Sequence, residues 1–132
     1  MEFRTSRRVE FADTDVSGLV HFSRFFVFME TAEHQFLRSL GTEVHTQHEG
    51  HEIGWPRVKA TCEYLSPVAF GDELEITVRV NRKGTKSMTY GFEFQHEDRA
   101  IARGEVTAVC CVLGEPGGPR AIEIPAVIAD QV

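Results

Sequence analysis

Between residues 23 and 40, apolar side chains recur at Phe25, Met29, Ala32, Phe36 and Leu40, with Phe28 and Leu37 broadening the stripe. Spacings of three and four are the period of an amphipathic helix, so a helix is expected from Ser23 to Leu40. Ser23 is a residue type that caps helix N-termini, although position 26 has no Glu or Gln to complete a capping box. Gly41 is a natural stop. Seven apolar side chains on one broad face predict deep burial.

Downstream the period changes from 3.6 to 2. Val58, Ala60, Cys62 and Tyr64 alternate with polar residues, as do Leu74, Ile76, Val78 and Val80, and then Met88, Tyr90, Phe92 and Phe94. This is the pattern of half-buried antiparallel strands. Turn residues separate them: Ser66-Pro67 with Gly71-Asp72, then Lys83-Gly84-Thr85, then Glu97-Asp98. A last strand is expected from Ile101 to Leu113. One of its faces carries small residues (Ala102, Gly104, Val106, Ala108, Cys110, Val112), as a sheet needs where a bulky helix lies close. Phe3 to Phe11 reads as a weaker strand, diluted by Arg4, Arg7 and Arg8, and the His- and Gly-rich stretch Thr42 to Gly54 reads as a loop. The order is strand, long helix, four antiparallel strands, which predicts an α+β layer architecture in a single domain spanning residues 1–132.

Composition narrows the class. The chain has 132 residues, 42% hydrophobic and 26% charged, enough for a core without metal or disulfide support. Its net charge of −6 argues against a general nucleic-acid binder. The three cysteines, Cys62, Cys110 and Cys111, are odd in number and two are adjacent, so a disulfide framework is not expected and a reducing, cytoplasmic setting is. The opening MEFRTSRRVEF lacks the apolar core of a signal peptide, and no apolar run approaches the ~18 residues of a membrane span.

The chemistry concentrates in FADTDVSGLVHFSRFF, residues 11–26. Asp13 and Asp15 stand just ahead of the apolar helix. Read alone, such acids cap a helix or brace a turn. A carboxylate before a helix start also suits thioester cleavage: it attacks the carbonyl or deprotonates a water, while free N–H groups at the helix end meet the developing oxyanion.

The segment Val9 to Val20, with its D-x-D, two spacers, Gly and an apolar pair, resembles the signature of the 4-hydroxybenzoyl-CoA thioesterase family, which includes Tol-Pal-associated acyl-CoA thioesterases. Glu63-Tyr64-Leu65-Ser66-Pro67-Val68, Gly71 to Ile76 and Arg120 to Pro125 resemble later pieces of the same family, so the similarity covers nearly the whole chain. The resemblance implies a hotdog fold, a long hydrophobic helix wrapped by a curved, mainly antiparallel five-stranded sheet. It implies hydrolysis of an acyl- or aroyl-CoA thioester in a homodimer or homotetramer, with no metal and no cofactor beyond the substrate's own CoA. It places the catalytic acid at Asp15, a structural acid at Asp13, and the carbonyl-polarising backbone N–H at Phe22. His21 stands where the family commonly has Tyr or Trp, and is a further candidate. Lys86, Ser87 and Arg120 match CoA-phosphate residues, with Arg79, Arg82 and Lys83 nearby, and Trp55 is a candidate wall of the acyl pocket.

Other features read more plainly. Glu30 and Glu33 are expected as solvent-side or interface charges on the helix. The run His45 to His51 matches no zinc spacing and is expected as a solvated loop. Lys83-Gly84-Thr85-Lys86-Ser87 lacks the first glycine of a P-loop and joins two strands. Two alternatives accompany the thioesterase reading: an enoyl-CoA hydratase or dehydratase of the same fold, with His21 in the acid/base pair, and a non-catalytic acyl-CoA binder.

Overall fold

The computed structural model describes residues 1–132. In chain order it has β1 (Glu2–Arg8), a 3-10 turn (Phe11–Asp13), α1 (Arg24–Ser39), β2 (Thr46–His48), β3 (His51–Gly54), β4 (Arg57–Tyr64), β5 (Glu73–Lys83), β6 (Ser87–His96), β7 (Arg99–Val109), β8 (Cys111–Val112), β9 (Arg120–Ala121) and α2 (Ala126–Ala129). The larger sheet has the order β1-β5-β6-β7-β4, with every neighbouring pair antiparallel. β1 and β4 are its edges. A smaller antiparallel sheet has the order β2-β3-β8-β9.

The apolar stripe of α1 and the inner face of the large sheet share one core. Phe25, Phe28, Met29, Ala32, Phe36 and Leu37 are buried together with Leu74, Ile76 and Val78 of β5 and Met88, Tyr90, Phe92 and Phe94 of β6. Phe25 meets Phe94 edge to face, with ring centroids 5.3 Å apart. The small residues of β7 admit the helix. A Cβ built on Gly104 would stand 2.3 Å from Met29 Cε and 2.5 Å from the Thr61 carbonyl oxygen, so nothing larger than glycine fits without movement. The three cysteines are free thiols, and no helix is long and apolar enough to cross a membrane.

Several expected boundaries are corrected. Thr42 to Gly54 is not all loop: β2 and β3 form a hairpin whose turn residues, Glu49 and Gly50, both have positive φ, 51° and 81°. Two positive φ values match the right-handed twist of the flanking strands. The strand expected over Ile101–Leu113 breaks at Cys110, whose N–H donates to the Lys86 carbonyl at 2.8 Å, and β8 then crosses to pair with β3. β1 stops at Arg8 because the Val9 N–H turns to the Asp72 carbonyl, 2.8 Å away, and Phe11 opens the 3-10 turn. Ser23 precedes α1 but its side chain does not cap it, since its backbone is already helical (φ −72°, ψ −20°).

Candidate active site

The loop before α1 is built around Asp13. Glu10 and Asp13 close a capping box about the 3-10 turn, with the Glu10 N–H donating to Asp13 Oδ2 at 2.8 Å. Asp13 is 0% exposed. Arg7 of β1 reaches its two oxygens at 3.3 Å, and Arg24 at the start of α1 reaches Oδ1 at 2.8 Å. One carboxylate therefore ties strand, turn and helix together. Burial pushes Asp13 toward its neutral form, but the Glu10 N–H and the Arg24 and Arg7 guanidinium groups outweigh this and hold it below the usual carboxylate range.

From that anchor the chain makes a small antiparallel loop. The His21 N–H donates to the Asp13 carbonyl at 2.8 Å, Thr14 bridges Val20, and the Asp15 N–H donates to the Leu19 carbonyl at 2.8 Å. The Gly18 N–H returns to the Asp15 carbonyl at 3.0 Å, with Gly18 at φ +83°, a left-handed value that favours glycine. Asp15 sits at the exposed end of this loop. Its Oδ1 accepts from the Ser17 hydroxyl and from the Ser17 N–H, the latter at 2.8 Å. These bonds hold the Asp15 carboxyl below its ordinary value, while Oδ2 has no hydrogen-bond partner in the chain.

Asp15 opens onto a cleft of about 390 Å³ whose walls include Leu19, Phe22, Phe25, Tyr64 and Pro67. Phe22 immediately precedes the first turn of α1. The Arg24 N–H bonds the His21 carbonyl and the Ser23 N–H bonds His21 Nδ1, whereas the Phe22 N–H has no hydrogen-bond partner in the chain. The Tyr64 hydroxyl donates to the Phe22 carbonyl at 2.9 Å and so fixes the peptide on the other side of that residue. Asp15, with one carboxylate oxygen free, and Phe22, whose N–H is unpaired just ahead of α1, thus both line one apolar cleft. Groups of these kinds can act as nucleophile or base and as oxyanion donor.

The other sequence candidates are placed as follows. His21 stacks on Phe22 with ring centroids 4.6 Å apart, and its Nδ1 lies 2.7 Å from Ser23 Oγ, so it braces the helix entry. Trp55 is buried and lines a different, smaller cavity beside Pro125 and Ile128, away from Asp15 within the same chain. Lys86 is exposed and Ser87 half-buried at the β5–β6 hairpin, and Arg120 pairs with Glu115 at 3.1 Å. Of their neighbours, Arg79 is held by Glu2 and Glu93, and Lys83 by the Ala129 and Val132 carbonyls. Tyr64 pairs with Ala102 and Ser87 with Val109, so the hairpin lies seven residues along β7 from the Asp15 cleft, roughly 23 Å. In one chain these groups do not meet.

Two side-chain contacts near the site were not read from the sequence. Tyr64 looked like a strand residue alone, with nothing local to say that its hydroxyl reaches Phe22. Glu33 is not a solvent-side charge: it is 1% exposed and its carboxylate is gripped by Arg57 of β4. The signal was its position, four residues beyond Met29 on the apolar stripe.

A long apolar helix packed on a five-stranded antiparallel sheet is the arrangement of the hotdog fold. The chain belongs to the thioesterase-like superfamily, whose family model matches residues 9–132. A 1,4-dihydroxy-2-naphthoyl-CoA hydrolase of Thermosynechococcus vestitus is 29% identical over 109 residues, covering 81% of this chain and 74% of the relative. The solved structure of a gentisyl-coenzyme A thioesterase aligns at 28% identity with a TM-score of 0.83, covering 97% of this chain and 98% of that one. The 4-hydroxybenzoyl-CoA thioesterase of Pseudomonas sp. strain CBS-3 shares the fold at 19% identity, with a TM-score of 0.84 over 98% of this chain and 97% of that one.

Proposed function

We propose that the chain hydrolyses the thioester of an acyl- or aroyl-CoA, with Asp15 as the reacting carboxylate and the Phe22 N–H as the oxyanion donor. The observation that carries this reading is that Asp15 and Phe22, whose N–H is unpaired, line the same apolar cleft. A thioester carbonyl seated there lies against both. The similarity to a 1,4-dihydroxy-2-naphthoyl-CoA hydrolase and a gentisyl-coenzyme A thioesterase supports the substrate class.

The Ser17 bonds occupy only Oδ1, so Oδ2 is the oxygen left to react, and direct attack by it is the route taken here. Oδ2 bonds to the thioester carbon, the carbonyl electrons shift to oxygen facing the Phe22 N–H, and the C–S bond then breaks to release CoA thiolate, which takes a proton from solvent. Water cleaves the resulting mixed anhydride, releasing the acid and restoring the carboxylate. A single turnover in ¹⁸O-labelled water, followed by mass analysis of the Asp15 peptide, tests this route.

We also propose that β4 pairs with β4 of a second copy. It is an edge strand, mostly exposed, and carries Val58 and Tyr64 outward. An unpaired edge of that kind is normally covered. Antiparallel pairing about its middle sets the Tyr64 end of one chain beside the Arg57 end of the other. The copy's β5–β6 hairpin, with Lys86, Ser87 and Arg82, then approaches the first chain's cleft from the side where the CoA phosphates would leave it. Light scattering tests the dimer. Thiol release from acyl-CoA esters tests the activity, and hydration of an enoyl-CoA without thiol release would favour the hydratase alternative.

A further inference from the structure

Three hydroxyl side chains stand in the loop between the 3-10 turn and α1, those of Thr14, Ser17 and Ser23, and each has a partner. Thr14 Oγ1 donates to the Phe11 carbonyl at 2.7 Å and closes the 3-10 turn. Ser23 Oγ lies 2.7 Å from His21 Nδ1 at the helix entry. Ser17 alone turns to a carboxylate: its hydroxyl and its N–H both donate to Asp15 Oδ1. The N–H bond by itself makes an Asx turn, the ordinary way in which an aspartate braces the two residues after it. The loop is closed by backbone bonds as well, from the Gly18 N–H to the Asp15 carbonyl at 3.0 Å and from the Asp15 N–H to the Leu19 carbonyl at 2.8 Å. The Ser17 side chain is exposed and packs no core. Its hydroxyl is therefore not needed to make the loop.

Two donors on one oxygen have a chemical consequence. The oxygens of a carboxylate exchange places by rotation about Cβ–Cγ, a broad and soft torsion. Asp15 is exposed, so packing does not restrain that rotation. Held at Oδ1 from backbone and side chain together, the carboxylate keeps Oδ2 as its unpartnered oxygen. We propose that Ser17 is a positioning residue for thioester cleavage, its hydroxyl locking the Asp15 carboxyl about Cβ–Cγ so that Oδ2 keeps one orientation. The inference rests on the thioesterase reading above and deepens it by a residue outside the D-x-D pair. The hydroxyl does not make the carboxylate more reactive, since a donor on Oδ1 draws charge away from Oδ2. What it supplies is orientation. A carboxylate free to turn spends its time in poses that miss the carbonyl, and a misplacement of about 1 Å can cost ~100-fold in rate.

The test measures thiol release from benzoyl-CoA, naphthoyl-CoA and hexanoyl-CoA, and compares variants on the ester that wild type cleaves fastest. Ser17→Ala removes the hydroxyl and keeps the N–H. It should lower kcat by at least ~5-fold, about the worth of one hydrogen bond, with KM within ~2-fold and the melting temperature unchanged. Ser17→Thr keeps the hydroxyl and should hold kcat within ~2-fold of wild type. In an Asp15→Asn background, Ser17→Ala should have no further effect, because a residue acting only through Asp15 has nothing left to position. A merely structural serine would instead give additive losses and a lowered melting temperature. Wild-type kcat in folded Ser17→Ala, a loss that Ser17→Thr shares, or equal losses with and without Asp15 would overturn the proposal and leave the hydrolase reading standing. A Ser17→Ala protein that fails to fold would overturn it too, since the hydroxyl would then be building the loop. Undiminished turnover in Asp15→Asn, or no thiol release from any of the three esters, would overturn the hydrolase reading and this one with it.

Discussion

Asp13→Asn removes one negative charge from beneath two arginines and changes almost nothing in shape. Stripping one partner from a buried ion pair costs roughly 3–5 kcal/mol. Two features pull the estimate down. The Arg7 and Arg24 side chains keep 22% and 32% of their exposure, so water reaches the stranded guanidinium groups. Asparagine still offers an oxygen to the Glu10 N–H. The expected loss is therefore about 2–3 kcal/mol, or a melting temperature lower by roughly 10 °C for a chain of this length. The pH dependence gives a sharper signature. The folded carboxyl lies below its ordinary value of 3.8, so its contribution is present above that value and is lost as pH falls through the folded pKa. Urea unfolding of both proteins, followed by circular dichroism from near-neutral pH into acid, measures this. The stability gap should be constant near neutrality and shrink below about pH 4. A gap under ~0.5 kcal/mol at neutral pH, typical of an incidental surface change, would refute the anchoring role, as would a gap that survives unchanged in acid.

Further predictions address other parts of the fold. Gly104→Ala sets a methyl against Met29 Cε and the Thr61 carbonyl, and should cost about 1–3 kcal/mol by overpacking, read in urea unfolding. Burial pushes Glu33 up to about 7 from its ordinary 4.5, outweighing Arg57, so its contribution to stability is full below about 4.5 and is lost as pH rises through about 7. Stability measured across that window should fall with pH in wild type and fall less in Glu33→Gln. Lys83→Met releases the Ala129 and Val132 carbonyls, and hydrogen exchange of the Ala126–Ala129 amides should quicken while that of β5 and β6 stays protected. Tyr64→Phe frees the Phe22 carbonyl at a stability cost of about 0.5–1.5 kcal/mol, and should lower kcat more than it raises KM if the Phe22 peptide must be held still.

What the sequence disclosed followed the range of its signals. The α1 stripe and the alternation in β5 and β6 are local periodicities, enforced by a core that each element shares along its length, and their limits agree with the structure to within a residue or two at α1. The tight approach of helix to sheet at Gly104 was also legible, because small residues on one face leave a mark in composition. The β2–β3 hairpin was not. Its strands are three and four residues long, polar, and stabilised by pairing with β8, some sixty residues away. At the site, the D-x-D loop was singled out by its resemblance to a family motif, whereas the positive φ of Gly18 is seen only in the structure. The Glu33–Arg57 pair was not legible, because a glutamate on a helix reads as solvated until a distant strand supplies its partner. Trp55 and Arg120 were assigned by resemblance to a binding site. The first packs beside the C-terminal segment and the second pairs with Glu115, neither of which periodicity encodes.

The central claim is that Asp15 carries the chemistry while Asp13 carries the loop. Thiol release from the best CoA ester, measured for wild type and Asp15→Asn with both shown folded by circular dichroism, tests it most directly. The account predicts a loss of turnover of at least ~100-fold with an unchanged melting temperature, because the Asp15 side chain is exposed and bonds only within its own turn. Turnover near the wild-type value in a folded Asp15→Asn protein would contradict it.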